Sequence, residues 1–302
     1  MKKISHLLEY LFLKFLAFWV NLLPFWSLDY VAKFLTLLLW PIGKSAKKRI
    51  RDNLSFALPE IQGKDLQVFM KKNIQHSIRV SLEVMQAWKF QYKRFIRKYV
   101  YTDDPDFDSH YINLKKRPII IEGHFGNWEL PVPYMSHLGI RVTAAAKEQS
   151  NPYVTKLIEK RRKYYGGEIV YIHQTARIMK RLKENDLIGL VADQDAGHKG
   201  VFVKFFGKLA ATYAGPAFLA YYDEREMTLF TCVFQGRGKY LLRKHIIAKQ
   251  VKKSDYPDVE TAVQDLTQKW SSKLEEEIRK NPEQYFWLHR RWKTRPPWES
   301  NP

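Results

Sequence analysis

Residues 118–123 read Pro-Ile-Ile-Ile-Glu-Gly, a short apolar run that ends in a carboxylate and a glycine. Such a continuous run is typical of a strand buried on both faces of a sheet. Three similar runs follow, at 140–146, 168–172 and 187–192. Polar stretches with helical spacing lie between them, at 127–137, 152–165 and 174–184. This alternation predicts an α/β fold with a mixed, largely parallel central sheet flanked by helices.

The pattern on either side of this alternation predicts the division of the chain. Two apolar runs at 227–234 and 240–247 are separated by a Gly-containing turn, which predicts a hairpin at the sheet edge. A final helix is expected over 259–280. We expect an apolar helical membrane anchor at 1–43 and an α/β domain at 44–302. The first part of that domain, to about residue 104, has a helical pattern.

Residues 1–43 are rich in Leu, Phe and Trp. Their longest uncharged runs, 15–28 and 34–43, are shorter than the ~20 residues that a spanning helix needs. Pro24 should break or kink any helix there. We expect an amphipathic anchor or a half-buried helical hairpin, which could include one tilted span. The alternative is a helical pair that packs into the core.

The charge balance indicates the kind of surface on which the protein works. Lys and Arg number 51 against 31 Asp and Glu, a formal net charge of +20. Such a field attracts nucleic acid, anionic lipid headgroups or an acidic protein. Aromatic residues make up 15% of the chain, and Trp and Tyr suit a membrane–water interface. A basic cluster at 44–51 follows the apolar segment and marks the cytoplasmic side of a membrane.

The most informative local motif surrounds His124. Gly123 and Gly126 flank it, and Glu129 falls in the first turn of the next predicted helix. Open α/β folds place their sites at this end of the strands. A carboxylate that accepts one imidazole N–H fixes the tautomer, so that the other nitrogen can take a proton from a hydroxyl. The alternative is a histidine that caps a helix, with Glu129 as an ordinary first-turn acid.

Other catalytic motifs are missing or weak. The sequence contains no G-x-S-x-G, H-E-x-x-H, P-loop or G-x-G-x-x-G pattern. Cys232 is the single cysteine, which excludes an intrachain disulfide and a multi-cysteine metal site. Asp193 and Asp195 could hold a divalent cation, as a D-x-D glycosyltransferase motif does, or could cap a loop. A metal-dependent glycosyltransferase and a basic nucleic-acid-binding or membrane-binding scaffold therefore remain alternatives.

Five blocks in order along the chain resemble the bacterial lipid A biosynthesis acyltransferases. These late lauroyl and myristoyl transferases belong to the wider lysophospholipid and glycerolipid acyltransferase superfamily. The blocks are His124-Phe-Gly-Asn-Trp-Glu129, the Asn151-Pro152 segment with Arg161 behind it, Asp193-Gln-Asp-Ala-Gly197, Phe205-Phe-Gly207 with the Ala211-to-Gly215 segment, and the 287–296 tail. The resemblance also covers the apolar amino terminus. Close relatives acylate other glycolipids, including mannosylated phosphoinositides.

The resemblance implies a membrane-associated O-acyltransferase with a general base. His124, oriented by Glu129, would take the proton of a hydroxyl on a lipid A precursor or related glycolipid. That oxygen would attack the thioester of an acyl carrier protein or coenzyme A donor. Asn127, Arg161 and Asp193 would bind substrate or arrange the site, with Arg162 as the alternative to its neighbour.

The resemblance also implies the protein's surroundings. No tightly bound cofactor, metal or nucleic acid would be needed. The partners would be the acyl carrier protein or coenzyme A thioester, the glycolipid acceptor and an anionic membrane surface. The expected location is the cytoplasmic face of a bacterial inner membrane.

Overall fold

The computed structural model describes residues 2–148 and 150–299. The strands in these ranges are β1 Val100–Tyr101, β2 Ile119–Gly126, β3 Val142–Ala146, β4 Gly167–Tyr171, β5 Leu187–Val191, β6 Val201–Phe205, β7 Lys208–Thr212, β8 Met227–Gly236 and β9 Lys239–Ala248. Seven of them form one sheet in the order β1-β9-β8-β2-β5-β3-β4. Its neighbouring strands are parallel except for the β8–β9 hairpin. The predicted α/β fold is confirmed.

The helices of the described ranges follow the expected pattern. They are α1 Lys2–Asn21, α2 Leu28–Leu39, α3 Lys44–Ala57, α4 Gly63–Met85, α5 Lys93–Tyr99, α6 Phe107–Asn113, α7 Pro131–Ser136, α8 Pro152–Lys163, α9 Thr175–Lys183, α10 Gly215–Tyr222 and α11 Val259–Lys280. Helix α11 has the predicted bounds, and its N-cap residue Asp258 accepts a hydrogen bond from the backbone N–H of Thr261. The apolar runs along the chain are therefore separated by helices, as an α/β fold requires.

Helices cover both faces of the sheet. Successive side chains of a strand point to opposite faces, so the apolar residues of β2 need helices packed on both sides. Ile119 and Ile121 of β2 pack in a core cluster that includes residues of α9, α10 and α11. Ile120 packs in a second cluster, which includes residues of α7 and buried residues of the amino-terminal helices. The strand β2 therefore lies at the centre of the molecule, and its carboxyl end carries the His124 motif.

The amino-terminal segment forms two helices with a sharp bend between them. Helix α1 ends at Asn21, Pro24 follows in an extended conformation, and α2 begins at Leu28. The bend measures 110°. No single described helix is long and apolar enough to cross a membrane, whereas the bent pair meets the length and composition requirement when taken together. Pro24 thus interrupts the helix as its missing N–H and fixed ring predict.

The two helices and the turns that follow them present apolar side chains to solvent, and we call these residues the amino-terminal apolar surface. Its large exposed side chains are Leu8, Leu11, Phe12, Phe15, Phe18, Trp19, Leu22, Tyr30, Phe34, Leu37, Leu38 and Ile42. The opposite side of the pair is buried, with Val20, Leu28 and Ala32 in the core. The segment is therefore half-buried. A concentration of large exposed apolar side chains of this kind is typical of an interaction site.

Gly126 ends β2 at a place where a side chain cannot fit. Its φ is +63°, in the left-handed region, and a Cβ built on it would lie 1.9 Å from the carbonyl oxygen of Cys232. The backbone N–H of Asn127 donates to that same oxygen at 2.8 Å. The pairing of β2 with β8 shifts register between Glu122 and Gly126. Glycine at 126 therefore permits the close backbone contact that shapes the loop after His124.

We predict that Gly126→Ala destabilises the fold far more than Gly139→Ala. Both glycines have positive φ, but a Cβ on Gly139 would meet nothing within 4 Å. The control, Gly139→Ala, should lose only the free energy that a left-handed backbone costs a residue with a Cβ, about 1–2 kcal/mol. Gly126→Ala adds a backbone clash and should cost about 3 kcal/mol or more in free energy of unfolding. Thermal unfolding of both variants checks this, and equal losses would contradict it.

Candidate active site

The side chain of His124 is held by a carboxylate from the neighbouring strand's end. Its Nδ1 lies 2.6 Å from Oδ1 of Asp193, and its backbone N–H donates to Oδ2 of the same carboxylate at 2.9 Å. Asp193 is buried and follows β5, which pairs in parallel with β2. The carboxyl ends of these two strands thus bring residues 69 positions apart into contact. Open α/β sheets carry their binding sites at the carboxyl ends of the strands, where His124 and Asp193 lie.

The protonation state of the pair follows from its surroundings. Burial alone would raise the pKa of Asp193, but the charge of His124 and the hydrogen bonds from its ring and backbone outweigh this and lower it. The carboxylate is therefore ionised, and Nδ1 carries the proton that it accepts. The side-chain amide nitrogen of Gln194 lies 3.2 Å from Nε2 of His124, and because an amide N–H can only donate, Nε2 accepts this hydrogen bond through its lone pair. The tautomer is assigned from these contacts.

Glu129 has a different partner from the one that the sequence predicted. Arg162 of α8 contacts both of its carboxylate oxygens, with Nε 3.1 Å from Oε2. The structure therefore pairs Nδ1 of His124 with Asp193 and not with Glu129. The charge of Glu129 raises the pKa of Arg162 against the lowering effect of burial. Because a guanidinium and a carboxylate match in a two-point contact, the pair is fixed in orientation.

The other predicted substrate-binding residues lie in different surroundings. Asn127 is fully buried, donates from its amide to Oε2 of Glu83 at 2.7 Å, and accepts from the backbone N–H of Glu129 at 3.1 Å. It supports the loop and does not border the cavity described below. Arg161 lies in α8, but its side chain is outside the described part of the chain. A role for either residue in binding substrate stays a prediction.

A buried polar network supports the loop from beneath. Glu83 of α4 accepts from Asn127 and, at 2.6 Å, from the hydroxyl of Tyr240. Arg79 donates to Asp29 of α2 at 2.9 Å, and its Nε lies 3.8 Å from Oε1 of Glu83. The network thus runs from the amino-terminal helices to the His124 loop.

A second histidine in this network also holds the loop. Nε2 of His76 lies 3.1 Å from the carbonyl oxygen of Gly126, and its Nδ1 contacts Arg79. Burial lowers the pKa of His76 well below its ordinary value, so the ring is neutral and donates to that carbonyl. This group was not predicted from the sequence. The available signal was the spacing of His76, Arg79 and Glu83, which places three polar residues on the face of α4 that is buried.

His124 opens onto a cavity of about 910 Å³. Trp128, whose ring centroid is 4.7 Å from that of His124, borders it together with Glu129 and Arg162. Most of the remaining wall is apolar and comes from α4, α8, α9, α10 and the strands β3, β4 and β5. One residue of α1, Leu13, also borders it. The cavity therefore places a polar reacting centre within walls suited to hydrocarbon.

The two aspartates of the Asp193-Gln-Asp195 motif have separate protein partners. Asp193 accepts from His124, whereas Asp195 accepts from the hydroxyl of Thr294 at 2.9 Å and from its backbone N–H at 3.2 Å. Among residues 2–148 and 150–299, no group of three or more His, Cys, Asp or Glu residues is arranged to hold a metal ion. In the structure, Asp195 therefore joins the carboxy-terminal tail to the site.

Comparison with known proteins defines the class of this chain. The family model of the bacterial lipid A biosynthesis acyltransferases matches residues 1–294, so the chain belongs to that family. The chain is thus an acyltransferase of lipid A biosynthesis.

The relatives include several lipid acyltransferases. The chain is 25% identical to a lipid A biosynthesis palmitoleoyltransferase of Escherichia coli over 94% of this chain and 90% of that protein. It is 28% identical to a lipid A biosynthesis lauroyltransferase of the same organism, over 84% of this chain and 81% of that protein. A phosphatidylinositol mannoside acyltransferase of Mycolicibacterium smegmatis is 26% identical over 56% of this chain and 54% of that protein. The similarity to the first two relatives therefore covers most of each chain.

The network predicts a pH dependence of stability. Burial raises the pKa of Glu83 from 4.5 to about 7, against the lowering effects of Arg79, Tyr240 and Asn127. Between these values the folded chain binds a proton that the unfolded chain releases, so this group's contribution to stability falls as pH rises. Glu83→Gln cannot titrate. We expect the melting temperature of the wild type to fall relative to that of the variant as pH rises from about 5 to 8.

Thermal unfolding at several pH values measures this difference. Glu276→Gln, on the exposed face of α11, is the matched control, because Glu276 is ion-paired at the surface and its pKa is lowered by Lys273 and Lys280. The melting temperature of Glu276→Gln should change with pH in the same way as that of the wild type over this range. If the melting temperature of Glu83→Gln also changes with pH in the same way as that of the wild type, Glu83 does not titrate between pH 5 and 8.

Proposed function

We propose that the chain transfers a fatty acyl group from a thioester donor to a hydroxyl of a lipid A precursor or related glycolipid, with His124 as general base. The observation that carries this proposal is the 2.6 Å contact between Nδ1 of His124 and Oδ1 of the buried Asp193. The contact leaves Nε2 as the basic nitrogen, and both His124 and Gln194, which contacts that nitrogen, border the cavity. A histidine held in this way can remove a hydroxyl proton.

The proposed reaction needs no covalent enzyme intermediate. The acceptor hydroxyl displaces the amide of Gln194 from Nε2 of His124 and transfers its proton to that nitrogen as its oxygen attacks the thioester carbonyl. The carbon–sulfur bond then breaks, and the imidazolium returns the proton to the departing thiolate. Asp193 stabilises the imidazolium between these two steps and prevents the ring from turning. An ester and a free thiol are the products.

We assign Glu129 to the site through Arg162. The paired side chains border the cavity beside His124, and Arg162 supplies a buried positive charge there. A cation in this position can stabilise the negative charge that develops on the thioester oxygen, or bind an acceptor phosphate. Glu129 is then a positioning residue that holds the guanidinium in place. Its loss should leave the histidine's tautomer unchanged.

The charge of the chain suits the proposed partners. With a net charge of +20, it attracts an acidic acyl carrier protein, the phosphates of coenzyme A and a phosphorylated glycolipid. Lys147 and Arg162 both border the cavity, so its wall carries positive charge that can bind a phosphate of the substrate. An anionic bilayer surface would attract the same charge. These features support either kind of thioester donor.

We also propose that the protein works on the cytoplasmic face of a bacterial inner membrane, held there by its amino-terminal apolar surface. Helix α1 connects this surface with the site, because its Leu13 borders the cavity. Asn151, just before α8, donates to the backbone of His6 and to the carboxylate of Glu9 in α1. We propose that a lipid enters the cavity from the bilayer beside α1.

We predict that Asp193→Asn reduces kcat by about 10²–10⁴-fold, because an amide can hold the imidazole in the wrong tautomer. His124→Ala should remove measurable transfer. Glu129→Gln should cost less in kcat and should leave the pH profile of kcat unshifted. Acyl transfer from thioester donors to a lipid A precursor measures all three variants. Asp265→Asn on the exposed side of α11 is the control, and wild-type turnover by Asp193→Asn would refute the assigned role.

We predict that replacing Phe12, Phe15 and Phe18 together by Ser weakens binding to anionic vesicles by at least tenfold. These rings are 59–60% exposed, so the change removes apolar contact with lipid and leaves the core intact. Vesicle co-sedimentation measures binding, and thermal unfolding checks the fold. The control is Ile112→Ser, which alters an exposed apolar side chain of α6. Equal vesicle binding by the triple variant and the wild type would contradict the assignment.

A further inference from the structure

The cavity contains a carboxyl group that the proposed reaction does not use. Glu122 lies on β2 two residues before His124, borders the cavity and is only 5% exposed. Its Oε1 has no hydrogen-bond partner among the described residues. Buried polar atoms in native proteins nearly always have such a partner, and an unpaired one is unfavourable. The side chain is therefore suited to a ligand that supplies the missing contact.

The strands beside Glu122 offer it no polar partner. In register it lies opposite Val191 of β5 and Phe230 of β8, which point to the same face of the sheet. Gly189 and Ala144 also pair with each other on that face. A Cβ built on Gly189 would meet nothing within 4 Å. The small residues thus leave open space on the face of the sheet that carries Glu122.

The chemistry of this group favours a neutral oxygen-bearing ligand. Burial, assisted by the charge of Glu129 and opposed by Arg162, raises the pKa of Glu122 well above its ordinary value. A protonated carboxyl donates one hydrogen bond and also accepts. A hydroxyl or a carbonyl oxygen can complete such an arrangement. The walls of the cavity are mostly apolar, with Val80, Val132 and Ile158 among them, so the rest of the ligand is hydrocarbon.

We propose that Glu122 forms a hydrogen-bonding subsite that selects a lipid chain with an oxygen substituent over a plain hydrocarbon chain. This rests on the proposed function, because the chain in the cavity belongs either to the acyl donor or to the acceptor. Two strand residues span about 7 Å, so the oxygen lies within a few carbons of the reacting group. A site that hydrogen-bonds a hydroxyl strongly rejects the analogue that lacks it, because its own polar group is then left unpaired.

The test compares chain selectivity in the wild type, Glu122→Leu and Glu122→Gln. In the donor arm, the full-length chain in anionic vesicles receives tetradecanoyl or 3-hydroxytetradecanoyl thioester with one lipid A precursor. In the acceptor arm, one donor is used with glycolipids whose non-reacting chains are hydroxylated or plain. We expect the wild type to show at least a tenfold higher kcat/KM for the hydroxylated chain in one arm, which identifies the source of the chain.

The two variants separate selection from a structural role. Glu122→Leu should bring the ratio of the two kcat/KM values close to one, mainly by lowering the value for the hydroxylated chain. Glu122→Gln still forms hydrogen bonds and should keep the ratio within about threefold of the wild type. A wild type without preference in either arm would overturn the proposal. So would a Glu122→Leu variant that lowers both values by the same factor.

A binding measurement separates the failure of this subsite from the failure of the proposed function. Displacement of a fluorescent fatty acid by tetradecanoic acid or by 3-hydroxytetradecanoic acid needs no turnover. If the wild type favours the hydroxylated acid and Glu122→Leu does not, the subsite stands even when no acyl transfer is detected. If the wild type binds both acids equally and transfers neither chain selectively, the subsite is refuted while acyl transfer itself remains established.

Discussion

The hydrogen bond between His124 and Asp193 joins the carboxyl ends of two adjacent parallel strands, and the rest of the site depends on it. Asp193 holds both the ring and the backbone N–H of His124, so the loop and the side chain are oriented together. The loop can adopt this position because Gly126 allows its backbone to pass close to Cys232. A single carboxylate therefore fixes the geometry and the tautomer of the residue proposed as the base.

The polar network beneath the loop gives the site a physical connection to the amino-terminal helices. Glu83 holds Asn127 in the loop, and Arg79 next to it holds Asp29 in α2. Because a buried charge without a partner is strongly unfavourable, each member restricts the position of the next. The helices that present the apolar surface are thus part of the framework of the site. An anchor joined by a flexible linker would lack this connection.

The cavity explains how an enzyme of this family could handle a chain that is almost entirely hydrocarbon. Small residues on one face of the sheet, Ala144 and Gly189, leave space that larger side chains would fill. Among the polar groups that border it, His124, Glu122 and the Glu129–Arg162 pair have different chemistry. A base, a buried acid and an ion pair at separate points can each recognise a different part of a lipid substrate.

The amino-acid sequence by itself determined the fold class, the helix over 259–280 and the break at Pro24, because periodicity and proline geometry are local properties. Its motifs also singled out His124 and Asp193 as candidate site residues, and their roles stay predictions. It could not determine which acid contacts which base. The spacing predicts Glu129, five residues after His124, as the partner of the ring. Asp193 contacts the ring instead because β2 and β5 are neighbours in the sheet. Strand order and register bring distant residues together through packing. Only the tertiary structure could therefore reveal that Glu129 binds Arg162 and that Glu122 is buried with an unpaired oxygen.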